Sequence, residues 1–203
     1  MHNTINFLGR LYYPSKVVCV GRNYVEHIKE LNNQVPEQPV IFIKPNSSIS
    51  DVLNSFHQEP LHYEGELAFL YLEGRFAAVA FGLDLTKRAL QSELKSKGLP
   101  WERAKSFNES ALFSDFVSFD DISALSLSLD VNGETRQQGG VDLMLCCPEA
   151  LLTDISSFID LVDGDIVMTG TPAGVGVVDA RTYYVGKVLE NDKVLIEKTW
   201  LSN

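Results

Sequence analysis

Two carboxylates two residues apart, Glu64 and Glu66, stand in the string HYEGEL at 62–67. In a strand alternate side chains share a face, so His62, Glu64 and Glu66 point the same way. Carboxylates that close repel one another unless a cation lies between them, and hard oxygen donors suit Mg²⁺, Mn²⁺ or Ca²⁺ rather than zinc. On its own HYEGEL reads more readily as a solvated strand face. Asp84, in GLDLT, shifts the balance, because a charge at the end of an apolar strand must be exposed or paired. A turn at Glu73-Gly74 would fold the strand carrying Glu64 and Glu66 back onto the one ending in Asp84. Three carboxylates on one divalent ion leave about three octahedral positions for water or substrate, an open arrangement suited to catalysis. Taken alone, Asp84 also fits the N-terminal region of a helix that begins at TKRALQ.

A second pair is His27 and Glu30 in YVEHIKEL. Residues i and i+3 of a helix are neighbours, so the carboxylate can orient the imidazole and raise its basicity, giving a dyad able to take a proton from water or carbon. The same pair on a surface helix would do nothing, and alone that is the commoner case. A third feature is MTGTPAGVG at 168–176. It lacks the GK[ST] ending of a P-loop and opens no evident helix. Its backbone N–H groups and the hydroxyls of Thr169 and Thr171 could hold a carboxylate; a tight turn would explain the glycines equally well.

The elements that must position these groups are mostly strands. KVVCV (16–20), PVIFIK (39–44), DIVMTG (165–170) and KVLIEK (193–198) are short apolar runs rich in β-branched residues. ELAFLYL (66–72) and FAAVAFGLDL (76–85) flank Glu73-Gly74, and LSLSLDV runs into Asn132-Gly133, a strong hairpin signal. Helices are expected over 23–33, with Val25, Ile28 and Leu31 on one side, over 86–98 with Gly98 as its stop, and over 148–159 with Pro148 in its first turn. The order is not a regular βα alternation, so a doubly wound sheet is disfavoured and a mixed, mostly antiparallel β fold with peripheral helices is expected.

The 203 residues fit one domain, and 45% hydrophobic with 22% charged residues is ordinary for a globular protein. A net charge of −10 argues against nucleic acid or an anionic membrane as the partner, since phosphate binding needs clustered Lys and Arg. Cys19, Cys146 and Cys147 show no CxxC spacing, which speaks against a zinc site or disulfide framework and for a reducing compartment. With no signal-like N-terminus and no long apolar stretch, a cytoplasmic location is expected.

Seven strings, VGRNYVEHIKEL, FIKPNSSI, HYEGELA, LDLTKRALQ, KGLPWERAKSF, VNGETRQQG and GDIVMTGTPAGVG, stand in the order found in the fumarylacetoacetate hydrolase family, and the chain resembles that family over most of its length. It is most similar to the small single-domain members of acylpyruvase, oxaloacetate-processing and hydroxyheptadienedioate isomerase type. The resemblance implies a single catalytic domain over 1–203, an α+β, mainly β, mixed β-roll with flanking helices, and assembly as a homodimer. It implies Glu64, Glu66 and Asp84 as ligands of Mg²⁺ or Mn²⁺, with Ca²⁺ as a further fit. It places His27 and Glu30 on a lid helix at about 23–33 and Lys105 facing the substrate, with Arg22, Lys44, Arg88, Gln91 and Thr171 lining or bordering the pocket. Two departures stand out. Only 17 residues separate Glu66 from Asp84, where members carry a longer insert with a helix, and Ala89 follows Arg88 where an acid is common.

The implied substrate is a small anionic 2-oxo acid held through its carboxylate and keto oxygens, with the metal stabilising an enolate. From there, cleavage of an acylpyruvate or fumarylpyruvate, tautomerisation or decarboxylation of oxaloacetate, and 2-hydroxyhepta-2,4-diene-1,7-dioate isomerisation all stay open. A reading of another class is a metal-binding, catalytically silent structural homodimer, which the shortened segment motivates.

Overall fold

The computed structural model describes residues 3–30 and 36–203. In chain order, β1 (Ile5–Phe7) and β2 (Arg10–Tyr12) form a small hairpin, followed by β3 (Lys16–Gly21), helix α1 (Val25–Glu30) and β4 (Val40–Pro45). Next come β5 (Phe56–His57), β6 (Glu59–Tyr63), β7 (Gly65–Leu72), β8 (Arg75–Asp84), β9 (Thr86–Lys87), α2 (Arg88–Ser96) and α3 (Glu102–Lys105). The remainder is β10 (Ala111–Phe113), β11 (Leu125–Val131), β12 (Glu134–Gly140), α4 (Pro148–Ser156), β13 (Ile166–Met168), β14 (Gly176–Val177), β15 (Tyr183–Glu190) and β16 (Lys193–Leu201).

A mixed six-stranded sheet, ordered β10-β8-β7-β13-β3-β4, carries the site. Its only parallel pair is β13 with β3, and the rest are antiparallel. Strands buried on both faces read as unbroken apolar runs rather than alternations, which is why β7 and β8 contain LAFL and AAVAFG. Leu67, Phe69, Val79 and Phe81 enter the core on one face, and Ala68, Leu70, Ala78 and Ala80 enter that on the other. Burying each large side chain stabilises the fold by about 1.5–3 kcal/mol. A four-stranded antiparallel sheet, β12-β11-β15-β16, packs on the first face, with Phe81 against Trp200 at 6.0 Å between ring centroids. Gly186 of β15 allows this approach, since any Cβ there would strike the Phe81 ring.

Both expected hairpins form. Glu73 and Gly74 have φ 50 and 81°, Asn132 and Gly133 have φ 49 and 82°, the doubly positive pair that a two-residue turn needs to match strand twist. The segment between Glu66 and Asp84 is therefore a direct hairpin of two long strands, with Leu72 opposite Arg75.

Three expectations change. HYEGEL is not one strand: β6 ends at Tyr63 and β7 begins at Gly65, so Glu64 lies in a break between them. The helix expected from residue 86 starts at Arg88, because Thr86 and Lys87 pair with His62 and Leu61 of β6. Of the helix expected over 23–33, Val25–Glu30 is helical, while residues 31–33, Leu31 among them, lie outside the described residues. Helix α4 starts with Pro148 as its first residue. Among the described residues no helix is long and apolar enough to cross a membrane.

Candidate active site

The β7–β8 register sets Gly65 opposite Leu83, and the Asp84 N–H donates to the Glu64 carbonyl at 2.9 Å. The backbone thus brings Glu64, Glu66 and Asp84 to one point, each offering an oxygen within 4.8 Å of the others. Their relative exposures are 6%, 2% and 1%, so they must be paired or charge-compensated. Lys105 Nζ, at the end of α3, lies 2.7 Å from Glu64 Oε2, 2.7 Å from Asp84 Oδ2 and 2.6 Å from Thr86 Oγ1. Arg88, opening α2, pairs with Glu64 Oε1 and donates to Gln91 Oε1 at 2.8 Å. Glu66 Oε2 accepts only the Gly170 N–H, at 2.8 Å, and meets no cation among the described residues.

Burial opposes ionisation of Glu64, but the charges of Lys105 and Arg88 outweigh it and hold that carboxyl well below the usual range. Burial, then the negative charges of Asp84 and Glu64, push Glu66 well above it. For Lys105, burial lowers the pKa, and the carboxylates of Asp84 and Glu64 more than restore it. Asp84 Oδ1 is 2.8 Å from Lys44 Nζ without the angle of a hydrogen bond, leaving it a buried acceptor without a donor. An all-oxygen donor set, one carboxylate without a counter-charge and one unfilled acceptor fit a divalent cation of the Mg²⁺ or Mn²⁺ kind.

Helix α1 lies over this centre. His27 is 6% exposed and lines the pocket, with Nδ1 3.1 Å from Glu30 Oε2. The other Glu30 oxygen accepts the Gly174 N–H at 3.0 Å. His27 is thus buried, and the exposed Glu30 links it to the loop at 168–176. The chain entering α1 is clamped by Asn23, whose amide donates to the carbonyls of Cys146 and Thr169 at 3.0 and 2.9 Å and accepts the Cys146 N–H at 2.8 Å. Gly170 makes room for that clamp: its φ is +97°, and a Cβ would lie 2.9 Å from Asn23 Cβ.

Of the expected pocket residues, Arg22, Arg88, Gln91 and Thr171 line it with His27, the triad and Lys105. Lys44 does not. It is fully buried behind Asp84, where its ammonium meets Asp84 Oδ1, the Lys105 carbonyl and Ser110 Oγ, on the side of Asp84 away from the cavity lining. The loop at 168–176 does hold a carboxylate, that of Glu66 itself. His62 faces Thr86 and Val177 of neighbouring strands and lies outside the pocket. At Ala89 the start of α2 meets Glu59 of β6, whose Oε1 accepts the N–H groups of Ala89 and Leu90 at 2.9 and 3.4 Å, a favourable place for a negative charge.

Sequence reasoning missed Gln137. Its amide accepts the Gly65 N–H at 2.8 Å and donates to Thr171 Oγ1 and the Pro172 carbonyl at 2.8 and 2.9 Å, while the Thr171 hydroxyl donates to the Gly65 carbonyl at 2.9 Å. Gly65 is thereby fixed between Glu64 and Glu66 from a strand of the other sheet. The only signal was the RQQG string, a polar run on an otherwise apolar β fold. Lys95 and Trp101, two more lining residues, also went unread. The cavity has a volume of about 20 Å³, room for a single water or ion.

With this geometry in place, three comparisons are informative. The family profile described as "Fumarylacetoacetate (FAA) hydrolase C-terminal" matches residues 16–73 and 76–198. The chain is 40% identical to an oxaloacetate tautomerase of Escherichia coli over 87% of its own length and 90% of that protein's. A fumarylacetoacetate isomerase/hydrolase homologue from Oleispira antarctica superposes with a TM-score of 0.94 at 36% identity, covering all of both chains. The fumarylpyruvate hydrolase of Pseudomonas aeruginosa, solved with Mn²⁺ and pyruvate, gives a TM-score of 0.85 at 27% identity, covering 99% of this chain and 95% of that one.

Proposed function

Because the chain belongs to the fumarylacetoacetate hydrolase family, we propose that it is a metal-dependent enzyme that enolises a small 2-oxo acid, with oxaloacetate tautomerisation as its first activity. The single observation that carries this reading is a buried imidazole poised over three converging buried carboxylates. Glu64, Glu66 and Asp84 would hold Mg²⁺ or Mn²⁺. The bound ion supplies Lewis acidity, which favours enolisation of a 2-oxo acid.

The chain's own groups do the rest. His27 Nδ1–H donates to Glu30, which fixes the tautomer and leaves Nε2 as the base. In tautomerisation Nε2 would take a proton from C3 of the oxo acid and the resulting imidazolium would deliver that proton to the keto oxygen, which restores neutral His27; the reverse reaction uses the same two transfers in the opposite order. The Glu30 carboxylate stabilises the imidazolium between the two transfers. Lys105 and Arg88 supply positive charge beside the anionic substrate, and Gln91 keeps Arg88 aimed. Closure of α1 excludes water from an enol that would otherwise exchange protons with solvent.

A second reading, C–C hydrolysis of an acylpyruvate or fumarylpyruvate, is favoured by the same dyad, since Nε2 can equally take a proton from water. The likeness to the fumarylpyruvate hydrolase of P. aeruginosa supports it. Return of the proton to another carbon would give isomerisation. Purified protein with Mg²⁺ is to be followed by ultraviolet enol absorbance against oxaloacetate, acetylpyruvate and fumarylpyruvate, with product analysis. Faster enol–keto interconversion of oxaloacetate without loss of carbon supports the first reading, and cleavage products the second. Undiminished activity after exhaustive chelation would end the metal-dependent reading, and no turnover of any of the three would leave a silent metal-binding homodimer.

Two further points belong to the same proposal. A reducing, cytoplasmic setting agrees with three free cysteines. A homodimer agrees with the exposed Leu8, Leu11 and Tyr13 around the β1–β2 hairpin, apolar surface that a second copy could cover; the mass in solution tests it.

A further inference from the structure

Two cations that line the pocket have no acid to pair with, although the chain carries an excess of ten negative charges. The ammonium of Lys95 on α2 makes no hydrogen bond or ion pair among the described residues. Its neighbour Lys97, two residues on, pairs with Glu93 at 2.5 Å. Arg22 also forms none, and its Nε is buried without a partner. Both pack over the ring of Trp101, with Lys95 Nζ 4.8 Å and Arg22 Cζ 5.9 Å from its centroid. Trp101 rests in turn on Phe42, at 6.1 Å between ring centroids. All four residues line the pocket that holds the carboxylate triad.

These two cations differ from the others at the site. Lys105 is neutralised by Glu64 and Asp84, Lys44 by Asp84, and Arg88 by Glu64. Arg22 is held at φ 59°, a strained conformation for a residue with a side chain, and such strain persists at functional positions where the surroundings enforce it. Lys95 is crowded: burial and then the charges of Arg22 and Arg88 lower its pKa to about 8. Like charges held together in a half-buried wall are costly without an anion between them.

We propose that Lys95 and Arg22, braced by Trp101, form a second carboxylate subsite that takes the distal carboxylate of a dicarboxylic 2-oxo acid. The subsite rests on the reading that the triad end of the pocket binds the 2-oxo acid group. It makes Lys95 and Arg22 specificity-determining residues, selecting short dianionic oxo acids over those with a neutral tail. The bland account of the same contacts is packing alone, two cationic side chains lying on an aromatic ring. In that case a charge on the ligand's far end makes no difference.

The test uses calorimetric binding to the Mg²⁺-loaded protein at pH 7 of fresh oxaloacetate and of 2-oxobutyrate, in which a methyl replaces the distal carboxylate. Wild type is expected to bind oxaloacetate at least tenfold more tightly. Lys95→Met and Arg22→Met should each erase most of that margin while leaving 2-oxobutyrate affinity within twofold, and Lys95→Arg should keep it. Thermal melting checks folding, and Lys95→Gln replaces Lys95→Met if the latter melts early. A wild type that binds both acids equally, or a Lys95→Met protein with an unchanged preference, overturns the subsite and leaves the oxo-acid reading standing. Failure of wild type to bind either acid overturns both.

Discussion

The carboxylate triad and the helix that covers it are built in opposite ways. Glu66 and Asp84 sit on long central strands, and Glu64 on the residue joining β6 to β7, all held by ladder hydrogen bonds and by core on both sheet faces. Two of the three triad carboxylates are gripped by fully buried ammonium groups. Helix α1 has only six described residues, too few to be stable by itself, and is tied down by the Asn23 clamp, buried Ile28 and the Glu30–Gly174 contact. Groups that must keep a fixed spacing are placed where the backbone cannot move. The imidazole proposed to shuttle a proton is placed on a short element held by a few side-chain contacts.

On the proposed function, that contrast would make damage at the triad structural as well as functional, and damage at His27 of α1 functional only. The largest effects are expected from Asp84→Asn, which should abolish Mg²⁺ binding and turnover. It also strips the countercharge from buried Lys44, leaves Lys105 with Glu64 alone, and should lower stability by about 3–5 kcal/mol; calorimetry and denaturant melts measure both. An Asp84→Asn protein as stable as wild type would mean that the two ammonium groups find other partners. His27→Ala should reduce turnover by about 10²–10⁴-fold with Mg²⁺ affinity and melting temperature nearly unchanged. Loss of metal binding there would erase the distinction between the two regions.

Gln137→Leu tests how far the rigidity of the triad depends on the second sheet. It leaves the buried Gly65 N–H without an acceptor, costing about 1–3 kcal/mol, and should weaken Mg²⁺ binding by about 10–100-fold, while Gln137→Glu keeps an acceptor for Gly65. The smallest effect concerns acid. Burial raises the Asp165 pKa, but Lys16 and the N–H and hydroxyl donors of Val162, Ser15 and Lys16 hold it below the usual value. Its folded pKa is depressed, so its contribution is present above the ordinary aspartate pKa and lost as pH falls through the folded value. Asp165→Asn should be less stable at neutral pH and flatten the acid limb of the melting curve, leaving α1 opening, read by hydrogen exchange, as in wild type.

Much of this architecture was legible because it is local. Unbroken apolar runs marked strands buried on both faces, and Glu73-Gly74 and Asn132-Gly133 marked the turns. The hairpin between Glu66 and Asp84 was readable from that turn alone, and with it the approach of Asp84 to the two glutamates. Where local reasoning failed, a distant segment had intervened. Pairing of Thr86 and Lys87 with β6 overrode the helical start at residue 86, and the break at Glu64 spoiled the simple alternation of HYEGEL. Lys44 looked like a pocket residue by its motif, yet register with β3 turns it behind Asp84.

The sequence by itself determined the two long strands that carry Glu66 and Asp84, the two tight turns, the acidic triad and the His27–Glu30 spacing, because each depends on residues within one element or one hairpin. Only the tertiary structure decided that Gln137 fixes Gly65, that Gly170 rather than a substrate-binding hydroxyl meets Glu66, that Glu59 meets the N–H groups of Ala89 and Leu90, and that Lys95 and Arg22 pack on one tryptophan ring with no acid paired to either. Those contacts join residues as far as 104 positions apart, and no periodicity or spacing encodes a distance that only the packing of two sheets creates.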